Sequence, residues 1–181
     1  MNYRFCPLCG IALTPLLKSN LKLTLQTCPK CVFTHYNNPK PCVVAVIVKR
    51  KKILLTRRAY EPFKDYWDFP GGFLECDEQP EDGLHREIAE ELGIEIKVIK
   101  LLGIYPDSYG SNGDSTLNLY YLCKKSNGML ISKDEIAEFN WFDIDNIPKL
   151  AFKTNLVIAD LMKKYSSIFK DEERSYFRSI Y

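Results

Sequence analysis

Apolar residues cluster from Cys42 onward with a pattern that predicts strands first. Val43–Lys49 and Ile53–Thr56 are short runs rich in Val, Ile and Leu, separated by the basic turn Lys49-Arg50-Lys51-Lys52. A loop rich in proline and aromatic residues follows. The period then changes: Leu84, Ile88 and Leu92 recur at i+4 as one apolar stripe, which predicts a helix over 80–92. Pro80 falls in its first turn, Glu81 and Asp82 lie near the positive end of the dipole, and Gly93 is the stop. Further strands are expected over 96–104 and 116–123, a short one at Phe139–Phe142, and a closing helix over Phe152–Tyr165. Lys170–Tyr181 is polar and is expected to fray. The first 40 residues are different. They are rich in cysteine, punctuated by proline and too few to build an apolar core, and Tyr36-Asn37-Asn38-Pro39-Lys40-Pro41 reads as a connector. The expected organisation is a small unit over 1–40, a main domain over 41–169 and a tail over 170–181.

Composition narrows the class without naming it. With 181 residues, 46% hydrophobic and 27% charged, the chain has the profile of one compact domain with a small appendage, which excludes disordered and collagenous readings. The longest apolar run, Cys42–Val48, is far shorter than the roughly 20 residues of a membrane span, and Met1-Asn2-Tyr3-Arg4-Phe5-Cys6 has no hydrophobic signal core. A cytoplasmic protein with no membrane partner is expected. The net charge of +2 hides an asymmetry: residues 1–60 hold eleven Lys or Arg and no Asp or Glu, and the remaining 121 positions hold 14 basic and 23 acidic residues. Opposed charge of this kind serves a site that holds a polyanion together with its cations, and equally serves two complementary halves of one globule.

Four of the seven cysteines form two C-x2-C pairs, Cys6 with Cys9 and Cys28 with Cys31, separated by eighteen residues. That is the spacing of a four-cysteine zinc ribbon with a closed tetrahedral Zn²⁺. Such a metal is structural and supplies folding free energy that 40 residues of sparse core lack. Cys42, Cys76 and Cys123 read as small buried or half-buried apolar residues.

The predicted helix also places Glu87, Glu90 and Glu91 at i, i+3 and i+4, so three carboxylates share one ridge beside the apolar stripe. Like charges at these spacings cost about 0.2–0.5 kcal/mol per pair, and a divalent cation among them reverses the sign. Mg²⁺ (or Mn²⁺) suits a set of hard carboxylate oxygens. The alternative is a solvated acidic face.

The segment around this ridge resembles the Nudix box, G-x5-E-x7-R-E-U-x-E-E-x-G-U with U apolar, at every position: Gly72, Glu78, Arg86, Glu87, Ile88, Glu90, Glu91, Gly93 and Ile94. With average residue usage near 7%, a chance match is rarer than about one in a million. The resemblance implies an α+β chain whose main domain is a Nudix α/β/α sandwich with a mixed sheet, preceded here by the zinc ribbon. It implies that Glu87, Glu90 and Glu91 ligate catalytic metal, joined by the Gly71 carbonyl. Glu78 and Arg86 form a bracing ion pair, with Gly72 and Gly93 as box support. Glu91 and Glu135 are the two candidates for the base that activates water. Pyrophosphate resists attack because its own charge repels water, so metal on the ridge both neutralises that charge and acidifies a bound water. Trp67-Asp68-Phe69-Pro70-Gly71-Gly72 resembles the family's approach to the box. Arg57 and Arg58 are candidate phosphate contacts or simply a solvated strand end, and Trp67 is either core or a stacking platform for a nucleobase.

A ribbon ahead of a Nudix domain resembles the NADH pyrophosphatases and the plant-type FAD or ADP-ribose pyrophosphatases. Gly103-Ile104-Tyr105-Pro106-Asp107-Ser108-Tyr109-Gly110 stands where the former carry S-Q-P-W-P-F-P-x-S, and Pro106 falls early for the proline of ADP-ribose hydrolases. The implied function is Mg²⁺-dependent hydrolysis of a nucleoside diphosphate linked to another group, with ADP-ribose, FAD or an NADH-like dinucleotide as substrate. Nucleoside-triphosphate sanitising and RNA-cap hydrolysis use the same chemistry. A zinc-ribbon nucleic-acid-binding regulator is the alternative from another class, and an intact box argues against it and against a nucleic-acid partner. Many relatives pair as homodimers, and the resemblance allows a homodimer here as well.

Overall fold

The computed structural model describes residues 3–13, 25–36, 38–110, 113–132 and 136–164. They belong to two compact units, one within Met1–Pro39 and one within Lys40–Tyr181. In the first, β1 (Leu25–Thr27) and β2 (Thr34–Tyr36) pair antiparallel, and Phe5 bridges Ala12. The unit's buried centre is Cys6, Leu13 and Cys28, packed by Cys9, Ile11, Cys31 and Phe33. Among the described residues, the apolar core of this unit is thus largely its thiols.

The second unit is a seven-stranded mixed sheet between two helices. Its strands are β3 (Lys40–Lys49), β4 (Lys52–Arg58), β5 (Trp67–Asp68), β6 (Gly71–Phe73), β7 (Ile94–Tyr109), β8 (Asp114–Gly128) and β9 (Ile136–Asp143). The order β5-β4-β3-β8-β7 has one parallel pair, β3 with β8, while β6 adds to β3 and β9 to β4. Helix α1 (Pro80–Leu92) lies on one face and α2 (Lys153–Lys164) on the other, and no described helix is long and apolar enough to cross a membrane.

Strand periodicity divides the core in two. Val44, Val46 and Val48 of β3, with Ile53 and Leu55 of β4 and Tyr120 and Leu122 of β8, pack on Ile158, Ala159 and Met162 of α2. The intervening Val43, Ala45, Ile47, Leu54, Tyr121 and Cys123 pack on Leu84, Ile88 and Leu92 of α1. An unbroken apolar run in β3 therefore marks a strand buried on both faces rather than one.

Helix α1 spans the residues the spacing predicts; Gly93 adopts φ 65° and its N–H closes on the Ala89 carbonyl at 3.0 Å. The sheet is more extensive than the sequence reading. β3 begins at Lys40, so the Lys40-Pro41 end of the expected connector is strand; Pro41 keeps its place because its carbonyl, accepting from the Leu74 N–H at 3.2 Å, does the pairing. β7 and β8 reach beyond 96–104 and 116–123 because each carries the other's polar ends from Ile94↔Gly128 to Tyr109↔Asp114. Pro106 is tolerated in β7 because that strand is an edge. The predicted tail and Tyr165 lie outside the described residues.

Candidate active site

β3 changes partner along its length, and this opens a cleft. It pairs with β6 at Cys42–Val44 and with β4 only at Val48↔Ile53 and Lys49↔Lys52, after which β3 and β4 diverge. The resulting cavity, about 400 Å³, has the α1 carboxylates Glu87, Glu90 and Glu91 on one side with Gly71, Gly72 and Phe73. Arg58, Asp68, Tyr109, Phe152 and Asn155 face them, and Cys42, Val44, Thr116, Asn118 and Tyr120 contribute as well.

Arg86 organises the carboxylate side. Its Nε and Nη2 donate to the two oxygens of Glu78 at 2.8 and 2.9 Å, a bidentate fork, and Nη2 also reaches the Phe73 carbonyl at 3.1 Å. Nη1 donates to Glu87 Oε1 at 2.9 Å and Glu90 Oε2 at 3.1 Å. The arginine thus braces the loop against α1 and also offsets repulsion along the ridge. Burial raises the Glu87 carboxyl, opposed by Arg86 and reinforced by Glu90 and Glu78. Glu91 Oε2 accepts the Gly71 N–H at 3.1 Å. Close approach explains the two glycines: Gly71 sits at φ 145° with a Cβ position overlapping the Val43 carbonyl, and a Cβ at Gly72 would overlap the Glu87 carboxylate.

Arg58 is held in place on the opposite side. Nε donates to the Pro62 carbonyl at 2.7 Å, Nη1 to Asp68 Oδ2 at 3.0 Å and Nη2 to the Tyr109 hydroxyl at 3.3 Å. The guanidinium lies over the rings of Tyr109 and Phe152, which stack at 5.7 Å. Asp68 Oδ1 accepts from Asn155 at 2.7 Å, and burial raises its carboxyl against the pull of Arg58. Asp107 takes the Thr154 N–H at 3.0 Å and its hydroxyl at 2.7 Å, satisfying an N–H at the start of α2.

Of the residues singled out from sequence, Gly71, Gly72, Glu87, Glu90, Glu91 and Arg58 line the cleft, and Glu78 and Arg86 brace its edge. Arg57 does not: strand alternation turns it away from Arg58, toward Asp65 at 3.2 Å and Glu138 at 2.9 Å. Trp67 is also absent from the lining; it is half-buried, with its ring against Phe142 at 4.6 Å beside the α2-facing core. Glu135 lies outside the described residues. Sequence reasoning missed Asp68, Tyr109, Thr116, Asn118, Tyr120, Phe152 and Asn155. For Thr116 and Asn118 a signal was present, since two polar residues occupy inward positions of a strand that otherwise alternates.

In the small unit, Cys6 Sγ lies 3.6 Å from Cys31 Sγ and Cys9 Sγ 3.6 Å from Cys28 Sγ, with all four sulfurs within 4.8 Å of one another. Tetrahedral Zn–S bonds of about 2.3 Å place sulfurs about 3.8 Å apart, so the donor set and its spacing fit zinc. The thiols do not shift alike: at Cys28 burial is outweighed by N–H groups from Lys30 and Cys31, which bring it down to about 6, whereas at Cys9 and Cys31 the pull of the backbone at Ile11 and Phe33 is outweighed by burial and neighbouring thiols, which raise both, Cys31 to about 12.

The NUDIX domain family matches the chain over residues 38–165, and with the mixed sheet, the intact box on α1 and the cleft beside it, the chain belongs to the Nudix family and is a Nudix hydrolase. An ADP-ribose pyrophosphatase of Methanocaldococcus jannaschii is 38% identical over 128 residues, 71% of this chain and 76% of that protein. A NAD-capped RNA hydrolase of Vibrio parahaemolyticus is 28% identical over 171 residues, 94% of this chain; the chain spans only 62% of that relative's length. Among solved structures, a NUDIX hydrolase from Nitrosomonas europaea superposes with a TM-score of 0.73 at 28% identity, covering 91% of each chain.

Proposed function

We propose that this chain hydrolyses the diphosphate bond of nucleoside diphosphates linked to another group, with ADP-ribose as the leading substrate, and uses Mg²⁺ or Mn²⁺ to do so. One observation carries the reading: Glu87, Glu90 and Glu91 meet Arg58 across a single cleft, so a polyanion would find a metal ridge on one side and a fixed guanidinium on the other. The similarity to an ADP-ribose pyrophosphatase supports the substrate.

The donor set fits the ion. Three hard carboxylates and the backbone at Gly71 are what Mg²⁺ prefers, and the glycine at position 72 keeps clear the space a Cβ would fill beside Glu87. Bound there, the metal would supply charge neutralisation and an acidified water. To take it, Glu90 and Glu87 would exchange Arg86 Nη1 for the ion, while Arg86 keeps its fork to Glu78. Glu91, held by the Gly71 N–H, would accept the proton of the attacking water, with Glu135 as the other candidate base. Arg58 would hold a phosphate oxygen of the substrate or of the departing monophosphate through donors that its protein partners leave spare. Zn²⁺ on Cys6, Cys9, Cys28 and Cys31 would be structural, holding the ribbon of residues 1–40. The substrate is a small nucleotide, processed in the cytoplasm without a membrane partner.

A second reading, cleavage of NAD-capped RNA, is favoured by similarity that runs through both units; the sequence at Gly103–Gly110 departs from the NADH pyrophosphatase pattern and keeps it second. The test is a kcat/KM panel over ADP-ribose, NADH, FAD, diadenosine polyphosphates, nucleoside triphosphates and NAD-capped RNA with Mg²⁺. ADP-ribose is expected to lead, and Glu91→Gln to lower kcat by about 10²–10⁴-fold with little change in KM. Undiminished turnover in Glu91→Gln would sink the assignment of the base, and absence of turnover on the whole panel would sink the function.

A further inference from the structure

Part of the cleft is not used by the carboxylate ridge. Thr116 and Asn118 stand at i and i+2 on β8, on the face that also carries Tyr120, and both line the cavity. Thr116 is 4% and Asn118 7% exposed, and neither side chain hydrogen-bonds to the protein among the described residues. The polar atoms of both open onto the cleft rather than being sealed from water, so a group bound there can meet them in place of solvent. The neighbouring hydroxyl on the same face is already taken: the Tyr120 hydroxyl meets Thr154 Oγ1 at 2.7 Å and donates to Asn155 Oδ1 at 2.8 Å. Thr116 and Asn118 alone in this row keep their hydrogen-bonding capacity turned toward the cleft.

Strand register sets their distance from the ridge. Cys42 pairs with Phe73 on one side and Asn118 on the other, Val44 pairs with Gly71 and Tyr120, and Lys40 with Thr116. With strands about 4.8 Å apart and residues about 3.3 Å apart along each, Asn118 lies about 12 Å from Gly71. That is the reach of a group attached directly to a phosphate seated at the ridge. Charge around the pair is mixed and largely spoken for: Asp107, opposite Thr116 on β7, is taken by Thr154, and Lys40, the strand partner of Thr116 on β3, is paired with Asp114 at 3.1 Å. Thr116 and Asn118 themselves are neutral, and a threonine hydroxyl and an asparagine amide, which both donate and accept, match neutral hydroxyl groups.

We propose that Thr116 and Asn118 form a subsite for the hydroxyl groups of the sugar on the far side of the diphosphate, and so decide which linked group the enzyme accepts. The inference rests on the hydrolase activity proposed above and deepens it: the preferred class is a nucleoside diphosphate bonded to a sugar, rather than a nucleoside triphosphate.

The test compares ADP-ribose as substrate with ADP as competitive inhibitor, which keeps the nucleoside and diphosphate but lacks the distal sugar. In Thr116→Val and Asn118→Leu, KM for ADP-ribose is expected to rise about tenfold or more, with the ADP inhibition constant rising at least several-fold less. A parallel rise in both would place the pair on the nucleoside's own ribose and overturn the proposal, as would no rise in either. If Asn118→Leu fails to fold by circular dichroism, the near-isosteric Thr116→Val carries the comparison. Failure of wild-type protein to hydrolyse ADP-ribose would overturn the activity and this subsite together; turnover with an unchanged KM-to-inhibition ratio would overturn the subsite alone.

Discussion

Arg86 binds Glu78, Glu87, Glu90 and the Phe73 carbonyl at once, so one side chain braces two of the three ridge carboxylates. Hydrogen bonds from the guanidinium, then from the Glu75 N–H, hold the Glu78 carboxyl at about 2, below its ordinary 4.5. With the folded value below the unfolded one, the stabilisation is complete above about pH 4.5 and is lost as pH falls toward 2. Wild-type Tm is therefore expected to fall through that window more steeply than that of Glu78→Gln, measured by thermal denaturation at matched ionic strength; parallel profiles would refute the role of the pair. At this scale the box was legible because its members lie within 23 residues and their spacing alone puts them on one face of a helix. Arg57 and Arg58 were not separable by type. Their division into a surface ion pair and a cleft cation is decided by which face of β4 each occupies.

Helix α1 carries the ridge on one side and Leu84, Ile88 and Leu92, each fully buried, on the other. Packing and chemistry are therefore coupled through one rigid element. Ile88→Ala is expected to destabilise the main unit by about 2–5 kcal/mol, read as a lower urea midpoint, because the truncated side chain leaves a cavity between α1 and the sheet. Activity should decline with the folded fraction, not ahead of it. The boundaries of α1 could be read because proline, the acidic first turn and glycine each act locally. The ends of β7 and β8 could not, since residues such as Lys124 and Lys125 are strand only by virtue of pairing with Lys97 and Ile96.

Across the whole molecule, the charge asymmetry resolves into two destinations. Arg58, from the basic stretch, and the three glutamates, from the acidic one, line the same cleft, while the exposed turn Lys49–Lys52 does not. The thiol-centred unit is expected to hold one zinc per chain by metal analysis. Cys28→Ser should abolish that content and lower thermal stability; retention of both would remove the ribbon from the account.

By itself the sequence determined what short-range spacing can encode: the carboxylate helix, the strand-forming runs and two thiol pairs able to share a metal. Tertiary structure decided what faces what. Thr116, Asn118, Tyr109 and Phe152 come from β7, β8 and the approach to α2, and only the partner switch along β3 brings them to one cavity with the glutamates. Contacts of that kind depend on register between distant strands, a property of pairs that no single run of residues contains.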